Sequence, residues 1–364
     1  MSVSLLIAGG GTGGHLFPGV AVARELMARM PGAAVTFVGT AAGIEARVIP
    51  REGLTLDTIR SAGLKGKSPV ALLRGLLLLP LSAWDAWRVI SRRRPSVVIG
   101  VGGYSSGPVV ALAALRGVPT LLMEQNATPG LTNRLLSRLV RAAAVTYEES
   151  LATFGRKAFV AGNPVRPEFF APSAGGPAAS DRARVLVFGG SQGAHAINVA
   201  LAEAAPALAA AAPGVEVTHQ TGERDLSMVR DAYAAAGLTA RVEPFLYEMD
   251  REMRAADVIV CRAGATTLAE LTAAGRAAIL VPLPTATDDH QRRNADALVR
   301  QGAARVIDQR ELTGARLAEE LLGLARDGAA RERMALAARG MARPDAARVI
   351  VDRVLALAGR EGQT

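Results

Sequence analysis

The chain has 364 residues, half of them hydrophobic and about a fifth charged, which is ordinary for a globular protein and long enough that two domains are expected. Its single cysteine, Cys261, excludes an internal disulfide and fits a buried thiol in a reducing compartment, and the N-terminus shows no basic-then-apolar leader with a small-residue cleavage site. A net charge of +9 raises nucleic acid or an anionic membrane as a partner, but aromatics are only 4% of residues and no nucleic-acid-binding motif is present.

In chain order, short aliphatic or β-branched runs at 3–8, 34–38, 97–101, 120–123 and 143–146 predict strands. A second series follows at 185–188, 215–219, 258–261 and 278–281. Between them, Ala/Leu/Arg-rich segments such as 19–29, 197–210 and 267–274 have helical length. Continuous apolar strands alternating with helices predict an α/β fold with parallel sheets covered on both faces. Pro164, Pro167 and "APSAGGPAAS" (171–180) mark a linker. The expected domains are therefore 1–165 and 166–344, with the terminal helix, 345–364, completing the first.

Each half opens in the same way. "GGTGGHLFP" (10–18) follows the first strand, and "GGSQGA" (189–194), with His195 after it, follows the first strand of the second series. Glycine permits positive φ and close backbone approach, while a helix start offers unpaired N–H groups and partial positive charge to an anion. Strand, glycine turn and helix, twice, imply two Rossmann-like halves. Gly9, Gly11 and Gly14 also satisfy the dinucleotide pattern G-x-G-x-x-G, but the second strand ends "FVGTAAG", without the carboxylate that would hold a ribose, and Glu45 comes too late. No P-loop motif occurs either.

Taken together, "GGTGGHLFP", "GGYSSGP" (102–108), "EQNATPGLTN" (124–133), "GNPVR" (162–166), "GGSQGA", "CRAGATTLAE" (261–270) and "DDHQRRNA" (288–295) resemble, in order, the motifs of the MurG family. Those enzymes are peptidoglycan N-acetylglucosaminyltransferases that convert lipid I to lipid II. The resemblance implies the GT-B fold, with two Rossmann-like domains whose parallel sheets face an interdomain cleft. It implies UDP-N-acetylglucosamine as donor, held mainly by the C-terminal domain. The acceptor would be the 4-hydroxyl of a muramoyl-pentapeptide on undecaprenyl diphosphate, and the product linkage would be inverted to β. Another UDP-sugar enzyme of the same fold, an epimerase or a soluble-acceptor transferase, is the nearer alternative.

No Asp-x-Asp pair occurs in the chain, so no metal and no cofactor are expected, and helix-start N–H groups are expected to meet the leaving-group charge. Ser191 and the turn Ala265, Thr266 and Thr267 are candidates for that role, with Leu268 and Ala269 continuing the motif. Glu270, one turn into that helix, is placed to accept both ribose hydroxyls. By resemblance, Leu246 edges the uracil pocket, Arg166 contacts the donor, and Gln291 bonds sugar hydroxyls; Arg166 could instead be an ion pair at the domain hinge. Thr12, Gly13, Gly14 and Asn126 fall to the sugar and diphosphate region, and "GGYSSGP" adds N–H groups for the lipid diphosphate. His15 is a candidate general base because its ordinary pKa lies near neutrality. Glu124 is a second candidate base, and a structural role for His15 stays open.

Residues 60–94 carry eight of the basic residues (Arg60, Lys65, Lys67, Arg74, Arg88, Arg92, Arg93, Arg94) against Asp85 alone. The apolar stretch within this segment, about 12 residues interrupted by Arg74 and Pro80, is too short for the roughly 20 needed to span a bilayer. At 100° per residue, Leu73, Leu76, Leu77, Pro80, Trp84 and Trp87 form one stripe. Both tryptophans of the chain with a basic rim is the pattern of an interfacial anchor. The expected location is the cytoplasmic face of the bacterial cell membrane, with peripheral attachment to an anionic lipid surface.

Overall fold

The computed structural model describes residues 3–62, 69–172, 182–190, 192–211 and 214–359, with the backbone alone for 69–77. Its contacts divide the chain into two compact units, Met1–Val165 with Arg343–Thr364, and Arg166–Ala342.

Unit 1 opens with β1 (Ser4–Gly9), α1 (Gly13–Arg29), β2 (Ala34–Gly39), α2 (Glu45–Arg51), β3 (Thr55–Thr58) and α3 (Pro69–Arg93). It continues through β4 (Val97–Gly102), α4 (Ser106–Leu115), β5 (Thr120–Glu124), α5 (Leu131–Leu136), β6 (Ala142–Val145), α6 (Leu151–Phe154) and β7 (Ala158–Val160). The strands form one parallel sheet in the order β3-β2-β1-β4-β5-β6-β7. Successive side chains on a strand point to opposite faces, and β1 shows the consequence. Leu5 and Ile7 join Leu16, Val22 and Leu26 of α1 in one core, while Leu6 and Ala8 join Ala86, Ile90, Val109 and Val110 in the other.

Unit 2 opens with β8 (Arg182–Phe188), α7 (His195–Ala210), β9 (Gly214–Gln220), α8 (Leu226–Ala236), β10 (Ala240–Glu243) and α9 (Met249–Ala255). Then come β11 (Val258–Cys261), α10 (Ala265–Ala274), β12 (Ala277–Leu280), α11 (His290–Arg300), β13 (Arg305–Val306), α12 (Gly314–Arg326) and α13 (Gly328–Met341). This sheet is also parallel, in the order β10-β9-β8-β11-β12-β13. Cys261 is buried in it. The last helix, α14 (Ala346–Leu357), belongs to unit 1: Ile350, Val351, Val354 and Leu355 enter the core beneath α1, and Arg29 pairs with Asp352 at 2.7 Å.

All nine strands read from apolar runs are present. The four that were not read, β3, β7, β10 and β13, are the sheet edges, two to four residues long, where a strand need not be apolar on both faces. α1 begins before its apolar periodicity does, because Gly13 and Gly14 of the glycine turn enter its first turn, and α7 begins at His195, directly after its glycine turn.

In α3, Ser82, Ala86, Val89 and Ile90 face the core, whereas Pro80, Trp84 and Trp87 of the expected stripe face outward. Leu73, Leu76, Leu77 and Arg74 lie where only the backbone is described, and Lys65 and Lys67 lie outside the described residues. Part of the segment's positive charge is matched internally: Arg60 pairs with Asp85, and both Arg92 and Arg93 with Asp57. Those guanidiniums hold the Asp57 and Asp85 carboxyls below their ordinary range.

The strand order of each sheet reverses once, between β1 and β4 in unit 1 and between β8 and β11 in unit 2. In open α/β sheets, ligands bind at the carboxyl ends of strands at this switch point. The loops there carry the motifs: 10–12 and 103–105 in unit 1, and 189–194 and 262–264 in unit 2. The two loops of unit 1 are pressed together. A Cβ on Gly103, where φ is +80°, would lie 2.4 Å from the Gly10 carbonyl oxygen. Gly53 has a similar φ, +72°, but open space around it. Gly103→Ala is therefore expected to cost about 1–3 kcal/mol and lower Tm by about 2–10 °C, clearly more than Gly53→Ala. Equal melting of the two variants would contradict the close approach.

Candidate active site

In unit 1 the first glycine turn is held by a carboxylate. Glu45 is buried, and its Oε2 accepts the Gly11 N–H at 2.9 Å, while Oε1 accepts the Thr40 N–H and hydroxyl at 2.8 and 3.0 Å. Burial works to raise its pKa, but these hydrogen bonds outweigh it and hold the carboxyl below the usual range. Gly11 thus spends its N–H inside the protein. Thr12 is the exposed N-cap of α1, and Gly13 and Gly14 begin the helix.

His15, half-buried, lies one residue further. The Gln125 side chain donates from Nε2 to the Val101 carbonyl at 3.1 Å, which turns its Oε1 toward His15 Nδ1 at 3.2 Å. Nδ1 is therefore the donor, and in the neutral ring Nε2 carries the lone pair. That is the tautomer of a general base.

Glu124 is built differently. Oε1 accepts the backbone and side-chain N–H groups of Asn126 at 3.0 and 3.1 Å, and Oε2 accepts from Gly130 N and Asn133 Nδ2 at 3.0 and 2.8 Å. A buried carboxylate with four N–H partners is a scaffold for the 124–133 loop rather than a free proton acceptor. It fixes Asn126, whose carbonyl in turn accepts from Ser150.

In unit 2, α10 starts after Gly264, and its first intrahelical bond runs from Leu268 N to Gly264 O at 2.9 Å. The N–H groups of Ala265, Thr266 and Thr267 precede that bond and point out of the helix start. Leu268 spends its N–H inside the helix and its side chain in the core, so it is a packing residue of this turn, and Ala269 follows it half-buried. Glu270 lies on the next turn. Burial pushes its carboxyl up to about 7, with the Arg166 charge pulling the other way. Arg166 is exposed at the head of the short 3₁₀ turn Pro167–Phe170, its guanidinium 5.1 Å from the Phe169 ring, and that turn packs on α9 and α10.

Gln291 accepts the Leu283 N–H through Oε1 at 2.9 Å, which fixes the orientation of its amide. Two successive residues before it, Asp288 and Asp289, take left-handed φ values of 55° and 54°, a strained turn that aims α11. Leu246 is buried with its N–H held by Gln220, so its carbonyl is the edge it can present to a base. Phe245, exposed, meets the 89% exposed Tyr247 edge-on at 5.0 Å. Ser191 lies outside the described residues.

Unit 1 thus brings Thr12, Gly13, Gly14 and His15 to the end of β1 and Glu124 and Asn126 to the end of β5. Unit 2 gathers Leu246, Ala265–Glu270 and Gln291 beyond the ends of β10, β11 and β12, and Arg166 acts on Glu270 from the head of the 3₁₀ turn that precedes β8. The sequence reading missed Glu45, Gln125 and Gln220, each of which acts on a motif residue through space. For Gln220 the signal available was the polar pair His219–Gln220 closing the alternating strand β9.

The raised carboxyl of Glu270 has a stability consequence. The folded chain holds a proton that the unfolded chain releases above its ordinary value of 4.5, so stability falls as pH rises from there toward 7 and then levels. Glu270→Gln removes the cost of the buried charge. Its Tm is expected to exceed the parent's at pH 8 and to approach it at pH 5; a constant difference across that range would place the charge in solvent.

Comparisons with known proteins cover nearly the whole chain. The glycosyltransferase family 28 N-terminal domain matches residues 5–145, and the glycosyltransferase family 28 C-terminal domain matches residues 184–350. The UDP-N-acetylglucosamine–N-acetylmuramyl-(pentapeptide) pyrophosphoryl-undecaprenol N-acetylglucosamine transferase of Anaeromyxobacter dehalogenans (strain 2CP-C) is 48% identical over 98% of this chain and 93% of its own length. The protein of the same name from Geobacter sulfurreducens is 45% identical over 99% and 100%. The crystal structure of Acinetobacter baumannii MurG superposes with a TM-score of 0.82 at 32% identity, covering 97% of this chain and 99% of that one. With its paired parallel sheets, its motif loops at both switch points and this near-full-length identity, the chain belongs to the MurG family of glycosyltransferase family 28.

Proposed function

We propose that this protein transfers N-acetylglucosamine from UDP-N-acetylglucosamine to the 4-hydroxyl of the muramoyl sugar of lipid I, giving lipid II for peptidoglycan. The observation that carries the reading is in unit 2. The helix start at Ala265–Thr267 suits a diphosphate, and a half-buried carboxylate one turn on, Glu270, suits the ribose hydroxyls. The Leu246 carbonyl would meet the uracil, and the Gln291 amide the sugar hydroxyls. Arg166, which acts on Glu270 electrostatically, would hold that carboxylate ionised when the nucleotide enters.

Unit 1 takes the acceptor. Thr12, Gly13, Gly14, Asn126 and the start of α4 would face its sugar and diphosphate. In the reaction the acceptor oxygen attacks the anomeric carbon, the bond from that carbon to the β-phosphate oxygen breaks, and UDP leaves with the electron pair. The hydroxyl proton passes to His15 Nε2. Attack from the face opposite UDP inverts the configuration to β. Backbone dipoles fixed before reaction meet the charge on the departing phosphate at no reorganisation cost.

A lipid-linked acceptor calls for a membrane-facing surface. No helix among the described residues is long and apolar enough to cross a membrane. Trp84 and Trp87 stack outward at 5.2 Å, next to exposed Leu79 and Leu81, and Leu115 at the end of α4 is 74% exposed. Arg88 and Arg92 are exposed on the same helix, Arg94 is exposed just past its end, and Arg116 lies 6.0 Å from the Trp87 ring. This supports peripheral attachment at the cytoplasmic leaflet through α3 and α4.

Incubating the protein with radiolabelled UDP-N-acetylglucosamine and a short-chain lipid I analogue should yield a β-linked disaccharide; no such product would refute the assignment. In the same assay His15→Ala should lower turnover about 10²–10⁴-fold while donor affinity holds, and unchanged turnover would remove His15 from the mechanism. Replacing Trp84 and Trp87 together with serine should weaken sedimentation with anionic vesicles and leave donor binding intact. Undiminished sedimentation would place the contact elsewhere.

A further inference from the structure

Gln220 is the last residue of β9 and is 2% exposed. β9 lies between β8 and β10, so its carboxyl end emerges between the loops that follow those two strands. Its side-chain amide uses both ends there. Nε2 donates to the Gly190 carbonyl at 2.9 Å, and Oε1 accepts the Leu246 N–H at 2.8 Å. Gly190 belongs to the 189–194 turn at the start of α7, and Leu246 to the 244–248 loop after β10.

The surroundings leave that amide one orientation. Asn198 donates from Nδ2 to the Thr221 carbonyl and to Asp225, which turns its Oδ1 toward His219 Nε2 at 3.0 Å. His219 Nε2 is then a donor, and Nδ1 accepts the Tyr233 hydroxyl at 2.8 Å. The histidine is neutral, burial having lowered its pKa to about 3. The following turn is locked against the glycine turn: a Cβ on Gly193 would fall 1.8 Å from the Thr221 carbonyl oxygen, and one on Gly222 would fall 2.4 Å from that of Gln192. The backbone that carries Gln220 is therefore fixed, and its amide transmits that fixity to both loops.

We propose that Gln220 is a positioning residue for nucleotide binding, its amide setting the spacing between the phosphate-side turn at 189–194 and the base-side loop at 244–248. This rests on the reading of unit 2 as the donor site. Gln220 touches no ligand itself. Without the amide, binding has to supply the ordering of two loops that the folded chain now holds ready. Glutamate does not substitute when ionised, because it offers the Gly190 carbonyl an acceptor in place of a donor; once protonated, its O–H and C=O reproduce the amide's pattern.

The test uses the full chain, with UDP binding followed by calorimetry and the acceptor KM measured with the short-chain lipid I analogue. Gln220→Met, of similar length but without the hydrogen bonds, is expected to weaken UDP binding about 10- to 100-fold, with the acceptor KM within about twofold. Gln220→Glu is expected to bind UDP poorly at pH 8 and to recover as pH falls. Three results would overturn the proposal: folded Gln220→Met with UDP affinity within twofold of the parent, equal fold-losses in UDP affinity and in acceptor KM, or failure of both variants to fold at every pH. A parent protein that binds no UDP would instead refute the donor-site reading.

Discussion

When a sugar leaves a nucleoside diphosphate, two phosphates must receive an added negative charge in a place with little water. In this chain the groups that can meet it in unit 2 are backbone N–H groups at a helix start. Three successive amides of α10 precede its first internal hydrogen bond, and a helix start carries roughly half a positive charge. The rest of the unit serves that constraint. The parallel sheet brings the loops after its strands to one edge, the reversal of strand order between β8 and β11 opens room for a ligand, and Glu270 stands one turn beyond the helix start.

The repeated glycine turn has two uses. In unit 1 the turn is filled from within, since Glu45 takes the Gly11 N–H and ties it to β2 through Thr40. What reaches the surface is the start of α1 with His15, whose tautomer is set by Gln125 and the Val101 carbonyl. In unit 2 the turn is backed by the 219–222 segment, and its histidine, His195, bonds Asp225 rather than an amide. The same strand–turn–helix thus presents a histidine of fixed tautomer in one half and a turn braced by the 219–222 segment in the other. The difference lies in which neighbour, carboxylate or amide, closes the turn.

Much of this was legible in the sequence. Parallel strands buried on both faces are continuous apolar runs, so the central strands could be read almost residue by residue, while the edge strands, half in solvent, could not. The motif residues were legible because their glycines and helix starts are local in the chain. Glu45, Gln125 and Gln220 were not, because each acts across 24 to 110 residues of sequence, a relation that only the folded sheet creates. Glu124 looked like a base on its residue type alone; its four N–H partners make it a scaffold. The outward turn of Trp84 and Trp87 also needed the structure, since an apolar helical stripe reads the same whether it faces core or lipid.

The most direct test is a crystal structure of the full chain with UDP-N-acetylglucosamine bound. Phosphate oxygens are expected within about 3 Å of the amide nitrogens of Ala265–Thr267, with the ribose hydroxyls on Glu270. Phosphates seated away from that helix start, or held chiefly by a bridging divalent ion, would contradict the account.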